Sequence, residues 1–159
     1  GWRADNGSFW KPPKTAILAP ESQTLKTIPL WVWAEIAEGL IGEFEVIVIG
    51  EHQGDEFDRS YINDLRGLTT VSSAARLLAE AHVAICANSL PWHLARHAGT
   101  PTFCFQDQYL ERCVPIDTPT VFYTADKREA MIQAALSLGK NPRTTLWSAK
   151  DLEGLQEAA

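Results

Sequence analysis

The sequence predicts an α/β domain of three layers, in which helices cover both faces of a mostly parallel sheet. Short apolar segments alternate along the chain with segments whose apolar residues recur at helical spacing, an order typical of parallel sheets. The apolar segments are continuous rather than alternating, as expected for strands that are buried on both faces. The chain has 159 residues, enough for one domain with one hydrophobic core.

The strands are predicted from short apolar segments rich in β-branched residues. Residues 1–14 are interpreted as an arm or linker, because Pro12 and Pro13 mark a boundary before the first strand. Residues 15–159 then form a single Rossmann-like domain. Its predicted strands are Thr15–Pro20, Glu45–Gly50, Asp64–Gly67, His82–Ala87, Pro101–Phe105 and Thr120–Tyr123.

The helices are predicted where apolar residues return every three or four positions. The first begins near Ile28, with Thr27 as its N-cap and Pro29 in its first turn, and it ends at Gly42. The others are predicted over Phe57–Ile62, Val71–Ala81, Pro91–Ala98, Lys127–Leu138 and Ser148–Glu157.

Composition narrows the classes of function. The formal net charge is 14 − 20 = −6, which disfavours binding to nucleic-acid backbones but leaves room for one small phosphorylated ligand. Cys86 and Cys104 lie in apolar segments, which indicates buried free thiols and a reducing, cytoplasmic location. No apolar run approaches the roughly 20 residues of a membrane helix, and no signal peptide is recognised.

Two loops that follow the first two strands offer ligand-binding groups, because parallel sheets bind ligands beyond the carboxyl ends of their strands. The loop Glu21–Lys26 contains the hydroxyl of Ser22 and the ammonium of Lys26, which could meet a diphosphate ahead of a helix N-terminus. Glu51 follows the second strand, where Rossmann proteins bind ribose hydroxyls. The alternative for both loops is an ordinary solvated surface.

A third loop, after the strand at His82–Ala87, carries the most information. Asn88 and Ser89 form a polar turn, and Pro91 opens a helix whose free N–H groups make an anion site. His93 lies in the first turn, where the helix end favours its neutral form. The alternatives are helix capping by Asn88 and Ser89 and a structural role for His93.

Several other kinds of site lack their sequence signatures. The chain has no G-x-G-x-x-G motif, no P-loop and no G-x-S-x-G nucleophile elbow. His93 and His97 have the spacing of a metal-binding pair, but no third ligand is evident. We therefore predict neither a metal nor a cofactor, and we assign no catalytic residue.

The order of these segments over residues 15–105 resembles glycosyltransferase family 9, the ADP-heptose type or heptosyltransferase group. Lys26 precedes a helix at Ile28–Ala37 like the family's W-P-x-x-x-(F/Y)-x-x-L-A segment, and a strand ends at Gly50-Glu51. Leu65–Ala75 is similar to the segment L-x-G-x-T-S-L-x-E-L-A. The longest match is Asn88–Pro101, which corresponds to D-S-G-P-x-H-L-A-x-x-x-G-T-P.

The resemblance implies the C-terminal, donor-binding half of a GT-B architecture. It places Lys26 at the diphosphate of a nucleotide-sugar, Glu51 at the ribose, and Asn88, Ser89 and His93 at the phosphates and the transferred sugar. The reaction would be hexosyl or heptosyl transfer from a donor such as an ADP-linked sugar, with no metal. A missing N-terminal domain or a partner chain would supply the acceptor site and the catalytic base.

Two departures from the family pattern support an alternative. Asn88 replaces the family's Asp, and Leu90 replaces its Gly. The alternative is a non-catalytic structural or interaction module that docks a partner through the aromatic residues of the arm, Trp2, Phe9 and Trp10. A third hypothesis is an epimerase or another enzyme with the same two-domain fold.

Overall fold

The computed structural model describes residues 14–21, 28–51, 61–87, 89–106 and 120–140. They contain a six-stranded sheet with the order β3-β2-β1-β4-β5-β6, in which each neighbouring pair is parallel. The predicted three-layer α/β fold is therefore confirmed. The strands are β1 Thr15–Ala19, β2 Glu45–Val48, β3 Ile62–Asp64, β4 Val83–Cys86, β5 Thr102–Gln106 and β6 Thr120–Thr124.

Helices cover both faces of this sheet. They are α1 Leu30–Leu40, α2 Val71–Glu80, α3 Leu90–Ala98 and α4 Arg128–Gly139, the last preceded by a single 3-10 turn at Ala125–Lys127. The helices α1 and α4 share one apolar cluster with Ala16 and Leu18 of β1. The helices α2 and α3 share the other cluster with Ile17 and Ala19. Because successive residues of a strand point to opposite faces, both faces of the strand must be apolar, as its sequence predicted.

Most predicted elements are found with bounds shifted by one or two residues, and three differences have a structural cause. Helix α1 begins at Leu30, and its N-cap is Pro29 rather than Thr27, because Pro29 has the extended backbone angles φ −56° and ψ 146°. The third strand ends at Asp64 instead of continuing to Gly67, because Gly67 adopts a φ of 76° that belongs to a turn. Ile62 opens that strand and does not close a helix.

Other sequence predictions fall outside the described residues. They concern the arm, the greater part of the short helix predicted at 57–62, and the helix predicted at 148–157. By contrast, Gly99 ends α3 in the left-handed conformation with a φ of 80°, as predicted for a C-terminal glycine.

The two described cysteines, Cys86 and Cys104, are fully buried free thiols, as the sequence predicted. Burial raises the pKa of the Cys86 thiol far above its ordinary value, and a thiol reacts through its thiolate. In a Cys113→Ser background, we expect no rapid reaction of the folded protein with a thiol reagent and reaction of two thiols in denaturant. Stopped-flow absorbance checks this, and rapid labelling of the native protein would contradict it.

Candidate ligand-binding cleft

A cleft of about 570 Å3 opens at the carboxyl ends of the central strands. Its volume lies within the range of small-molecule sites. Four segments form its walls: the ends of β1 and β2, and the N-termini of α2 and α3. The lining residues are Ala19, Glu21, Ile49–Glu51, Thr69–Val71, Ala74, Ser89–Pro91, His93 and Leu94.

The strand order explains why a cleft forms at this place. From β1 the chain continues to β2 and β3 on one side, whereas β4, β5 and β6 lie on the other side. The helix after β1 covers one face of the sheet, and the helix after β4 covers the opposite face. The loops that follow β1 and β4 therefore diverge, and open α/β sheets bind ligands in the crevice at such a switch point.

The loop after β2 is held in place by hydrogen bonds on two sides. Glu21 accepts a hydrogen bond through Oε1 from the backbone N–H of Glu51 at 2.9 Å. Gly50 accepts one from the N–H of Gly67 at 2.7 Å. A Cβ atom at Gly50 would lie 2.8 Å from the carboxyl carbon of Glu21, so glycine permits the close approach of this carboxylate. Glu51 itself keeps an exposed side chain at the cleft.

The N-terminus of α3 forms the opposite wall. Ser89 is the N-cap residue, but its side chain does not cap the helix; its hydroxyl donates instead to the carbonyl oxygen of Ala87 at 3.2 Å. The capping role considered for Ser89 is therefore wrong, because its hydroxyl turns back toward β4. The helix directs a partial positive charge toward the cleft, which favours an anionic ligand.

His93 follows in the same turn and is exposed at the cleft. Its Nδ1 lies 2.9 Å from Nη1 of Arg96. Partial burial and the nearby guanidinium of Arg96 lower the pKa of His93. The neutral form of the ring is therefore favoured, in the direction that the sequence predicted, but through burial and Arg96 where the prediction had relied on the helix N-terminus.

The N-terminus of α2 closes a third side. Thr70 and Ser73 form a reciprocal capping box, in which the Thr70 hydroxyl accepts from the Ser73 N–H at 3.1 Å and the Ser73 hydroxyl accepts from the Thr70 N–H at 2.9 Å. These two N–H groups are thereby satisfied within the helix. Thr69 and Thr70 contribute polar side chains to the lining.

The structure brings Glu51, Ser89 and His93 together around one cleft. The other predicted ligand-binding residues, Ser22, Lys26 and Asn88, lie outside the described residues.

The sequence prediction missed two groups, because they depend on tertiary contacts or helix geometry. The first is the carboxylate of Glu21, which contacts the end of β2. The second is Arg96, whose only sequence signal is its three-residue spacing from His93.

Charge in the described lining is one-sided. It contains the carboxylates of Glu21 and Glu51 but no lysine or arginine. No three His, Cys, Asp or Glu side chains of the described ranges come together as metal ligands would. Among the helices in the part of the chain that the structure covers, none is long and apolar enough to cross a membrane.

Comparison with known proteins gives a fold but no close relative. No family model matches the chain, and no curated protein matches it in sequence. Among solved structures, E. coli ADP-heptose LPS heptosyltransferase II superposes with a TM-score of 0.63 at 16% identity, over 81% of this chain and 48% of that one. An E. coli heptosyltransferase solved with ADP gives a TM-score of 0.59 at 12% identity, over 77% of this chain and 44% of that one.

A family 9 glycosyltransferase from Veillonella parvula shows the same relation, with a TM-score of 0.58 at 14% identity over 96% of this chain and 49% of that one. The chain thus spans about half the length of each of these structures. The predicted resemblance in fold is confirmed: residues of this chain adopt the Rossmann-like fold found in heptosyltransferases and family 9 glycosyltransferases.

Proposed function

We propose that this domain binds the nucleotide-sugar donor of a glycosyltransferase that transfers a hexosyl or heptosyl group. The observation that carries the proposal is the cleft at the switch point of the sheet, where Glu51, Ser89 and His93 converge. In this arrangement Glu51 accepts hydrogen bonds from the ribose hydroxyls. Ser89 and the N-terminus of α3 bind the phosphates, and His93 donates to the phosphates or the transferred sugar.

The remaining proposed ligands adjoin these segments in the sequence. Ser22 and Lys26 follow β1, and Asn88 directly precedes Ser89. Lys26 would supply the positive charge for a diphosphate that the described lining lacks. The hydroxyl groups of the nucleotide-sugar would therefore lie at the acidic side of the cleft, near Glu51, and its phosphates would lie at the N-terminus of α3.

The comparisons support an ADP-linked donor as the first one to test. One similar structure is named for ADP-heptose, and another was solved with ADP. Because the chain spans about half of these structures, we further propose that a second domain or a partner chain supplies the acceptor site and the catalytic base. We propose a cytoplasmic location, because a reducing compartment is compatible with the free thiols described above and with a nucleotide-linked sugar as ligand.

Nucleotide binding is tested by thermal unfolding with ADP, an ADP-linked sugar and a panel of other nucleotide-sugars. We expect a ligand that binds only the folded state to raise the melting temperature, with about 2.7 kcal/mol of stabilisation at one hundred times its Kd. Glu51→Ala should remove most of the shift, whereas Glu80→Ala, an exposed residue of α2 outside the cleft, should leave it unchanged. The absence of any shift at millimolar concentrations across the panel would contradict nucleotide binding.

A second candidate function is a non-catalytic structural or interaction module. It is favoured by Leu90, whose side chain is 52% exposed at the mouth of the cleft, and by the absence of a described cation in the lining. This module would bind no nucleotide and would form an oligomer or a partner complex through the arm. Light scattering of the chain with and without residues 1–14 separates the two functions, because only the module loses an assembly when the arm is deleted.

A further inference from the structure

The guanidinium of Arg96 contacts the imidazole of His93 from the following turn of α3. Residues three apart on a helix lie on the same face, and Nη1 of Arg96 is 2.9 Å from Nδ1 of His93. A guanidinium has hydrogen-bond donors and no acceptor, so Nδ1 must be the acceptor and carries no proton. The neutral ring then holds its proton on Nε2, which is the nitrogen left to meet a ligand in the cleft.

Arg96 is held in this position by Trp92. The guanidinium carbon lies 5.5 Å from the centroid of the Trp92 ring, a cation–π distance. Trp92 is fully buried in the cluster between the sheet and α3, and its ring centroid is 5.1 Å from that of His93. Since the indole is fixed by the core, the arginine and the imidazole are placed relative to a rigid ring.

Carboxylates close to the ring would favour its charged form. Glu21 and Glu51 line the same cleft as His93, and negative charges favour an imidazolium. Arg96 opposes them, because its charge and its donated hydrogen bond both favour the neutral ring. The combined effect of burial and Arg96 is a lowered pKa of His93.

The causes of the lowered pKa of His93 are burial and Arg96, and do not include groups on the other elements around α3. Helix α2 packs against α3, and its charged residues, Arg76 and Glu80, are exposed. The strands β4 and β5 beneath α3 contribute Cys86 and Cys104, which are buried thiols. Arg96 is thus the charged side chain in direct contact with the imidazole.

We propose that Arg96 is a positioning residue, which holds His93 as the neutral Nε2–H tautomer so that the ring donates one hydrogen bond to an oxygen of the bound ligand. The identity of that ligand, a nucleotide diphosphate or its sugar, rests on the proposed function, whereas the state of the ring does not. The arrangement favours a neutral Nε2–H donor at the cleft that Glu21 and Glu51 also line.

The state of the ring is tested by long-range 1H–15N NMR of the 15N-labelled chain, with His93→Gln to assign the signal. We expect the Nε2–H tautomer and a low pKa in the unmodified protein. In Arg96→Met, which keeps an aliphatic stem over Trp92, the pKa should rise toward the ordinary value of about 6.5. Arg96→Lys, which keeps a charge and a donor, should restore part of the depression.

The matched control is Arg76→Met, which removes an exposed arginine of the neighbouring helix α2 and should leave the pKa of His93 unchanged. A proton on Nδ1 in the unmodified protein, or an unchanged pKa of His93 in Arg96→Met, would overturn the inference.

Ligand binding gives the second readout. The Kd of ADP is measured at pH 6 and at pH 8, for the unmodified protein and for Arg96→Met. At each pH, the Kd of the variant is divided by that of the unmodified protein, which removes the effect of the titration of the nucleotide itself. Because the variant should hold more imidazolium at pH 6 than the unmodified protein, and an imidazolium attracts phosphate, this ratio should shift several-fold in favour of the variant at pH 6. A ratio independent of pH overturns the role of Arg96. Failure of ADP to bind the unmodified protein instead counts against the proposed function, and the NMR result then decides the inference by itself.

Discussion

Replacing Trp92 by alanine is expected to lower the free energy of unfolding by about 3–5 kcal/mol, the range for removal of a large buried aromatic side chain. Trp92 is fully buried in the cluster formed by α2, α3 and one face of the sheet. Its indole also supports the guanidinium of Arg96 at 5.5 Å. The substitution therefore leaves a cavity under α3 and removes the support for Arg96, which contacts His93 of the cleft.

Chemical denaturation monitored by circular dichroism measures this loss, and Trp31→Ala is the matched control. Trp31 is also helical and has Arg128 at 5.7 Å from its ring, but it is 60% exposed. Its removal should cost only about 0.5–1 kcal/mol, the value of an exposed cation–π contact. Equal effects of the two substitutions would show that burial of Trp92 does not stabilise the domain.

The fold could be predicted from sequence because its signals are local and repeated. The continuous apolar, β-branched segment at Glu45–Gly50 is typical of a strand buried on both faces. The helical spacing of Ala74, Leu77, Leu78 and Ala81 predicts the face of α2 that packs on the sheet. The third strand was misplaced because Ile62–Asp64 is short and pairs at one edge only, so its sequence carries little of this pattern. The position of β3 is set instead by its parallel pairing with β2, which is a non-local contact.

The cleft was predicted less completely than the fold, because some of its contacts join residues that are distant in sequence. Glu51 and Ser89 lie in loops that follow strands, and His93 lies near the N-terminus of the helix after β4, so the rule for parallel sheets places all three at one edge. Glu21 was overlooked as a structural group, although its carboxylate accepts the N–H of Glu51 across 30 residues of sequence. Side-chain contacts of this kind depend on the twist and register of the strands and leave no local signature.

Replacing Asp64 by asparagine is expected to cost up to about 3 kcal/mol, because it leaves a buried arginine without its counter-charge. Asp64 ends β3 and accepts two hydrogen bonds from the side chain of Arg66, at 2.9 Å from Nε and 2.8 Å from Nη2. Arg66 is almost fully buried, and the next residue, Gly67, donates to Gly50 at the cleft. The ion pair thus supports the turn that holds the loop carrying Glu51.

The control is Glu35→Gln, which breaks the pair with Arg128 at 2.8 Å between partly exposed side chains and should cost less than about 1 kcal/mol. Urea denaturation of both variants at pH 7 compares the two ion pairs. Equal losses would contradict the importance of the buried guanidinium.

The same ion pair predicts how stability depends on pH. The hydrogen bond from the Arg66 side chain lowers the pKa of Asp64 below its ordinary value of 3.8. A carboxylate with a lowered pKa in the folded state stabilises the fold fully above its unfolded pKa, and this contribution is lost as the pH falls through the folded pKa. The difference in unfolding free energy between the unmodified protein and Asp64→Asn should therefore be constant from pH 7 to about pH 5 and shrink below about pH 4, because the protonated aspartic acid then resembles the asparagine. A difference that stays constant down to pH 2 would show that the charge of Asp64 contributes nothing, since its hydrogen bonds alone would then account for the loss.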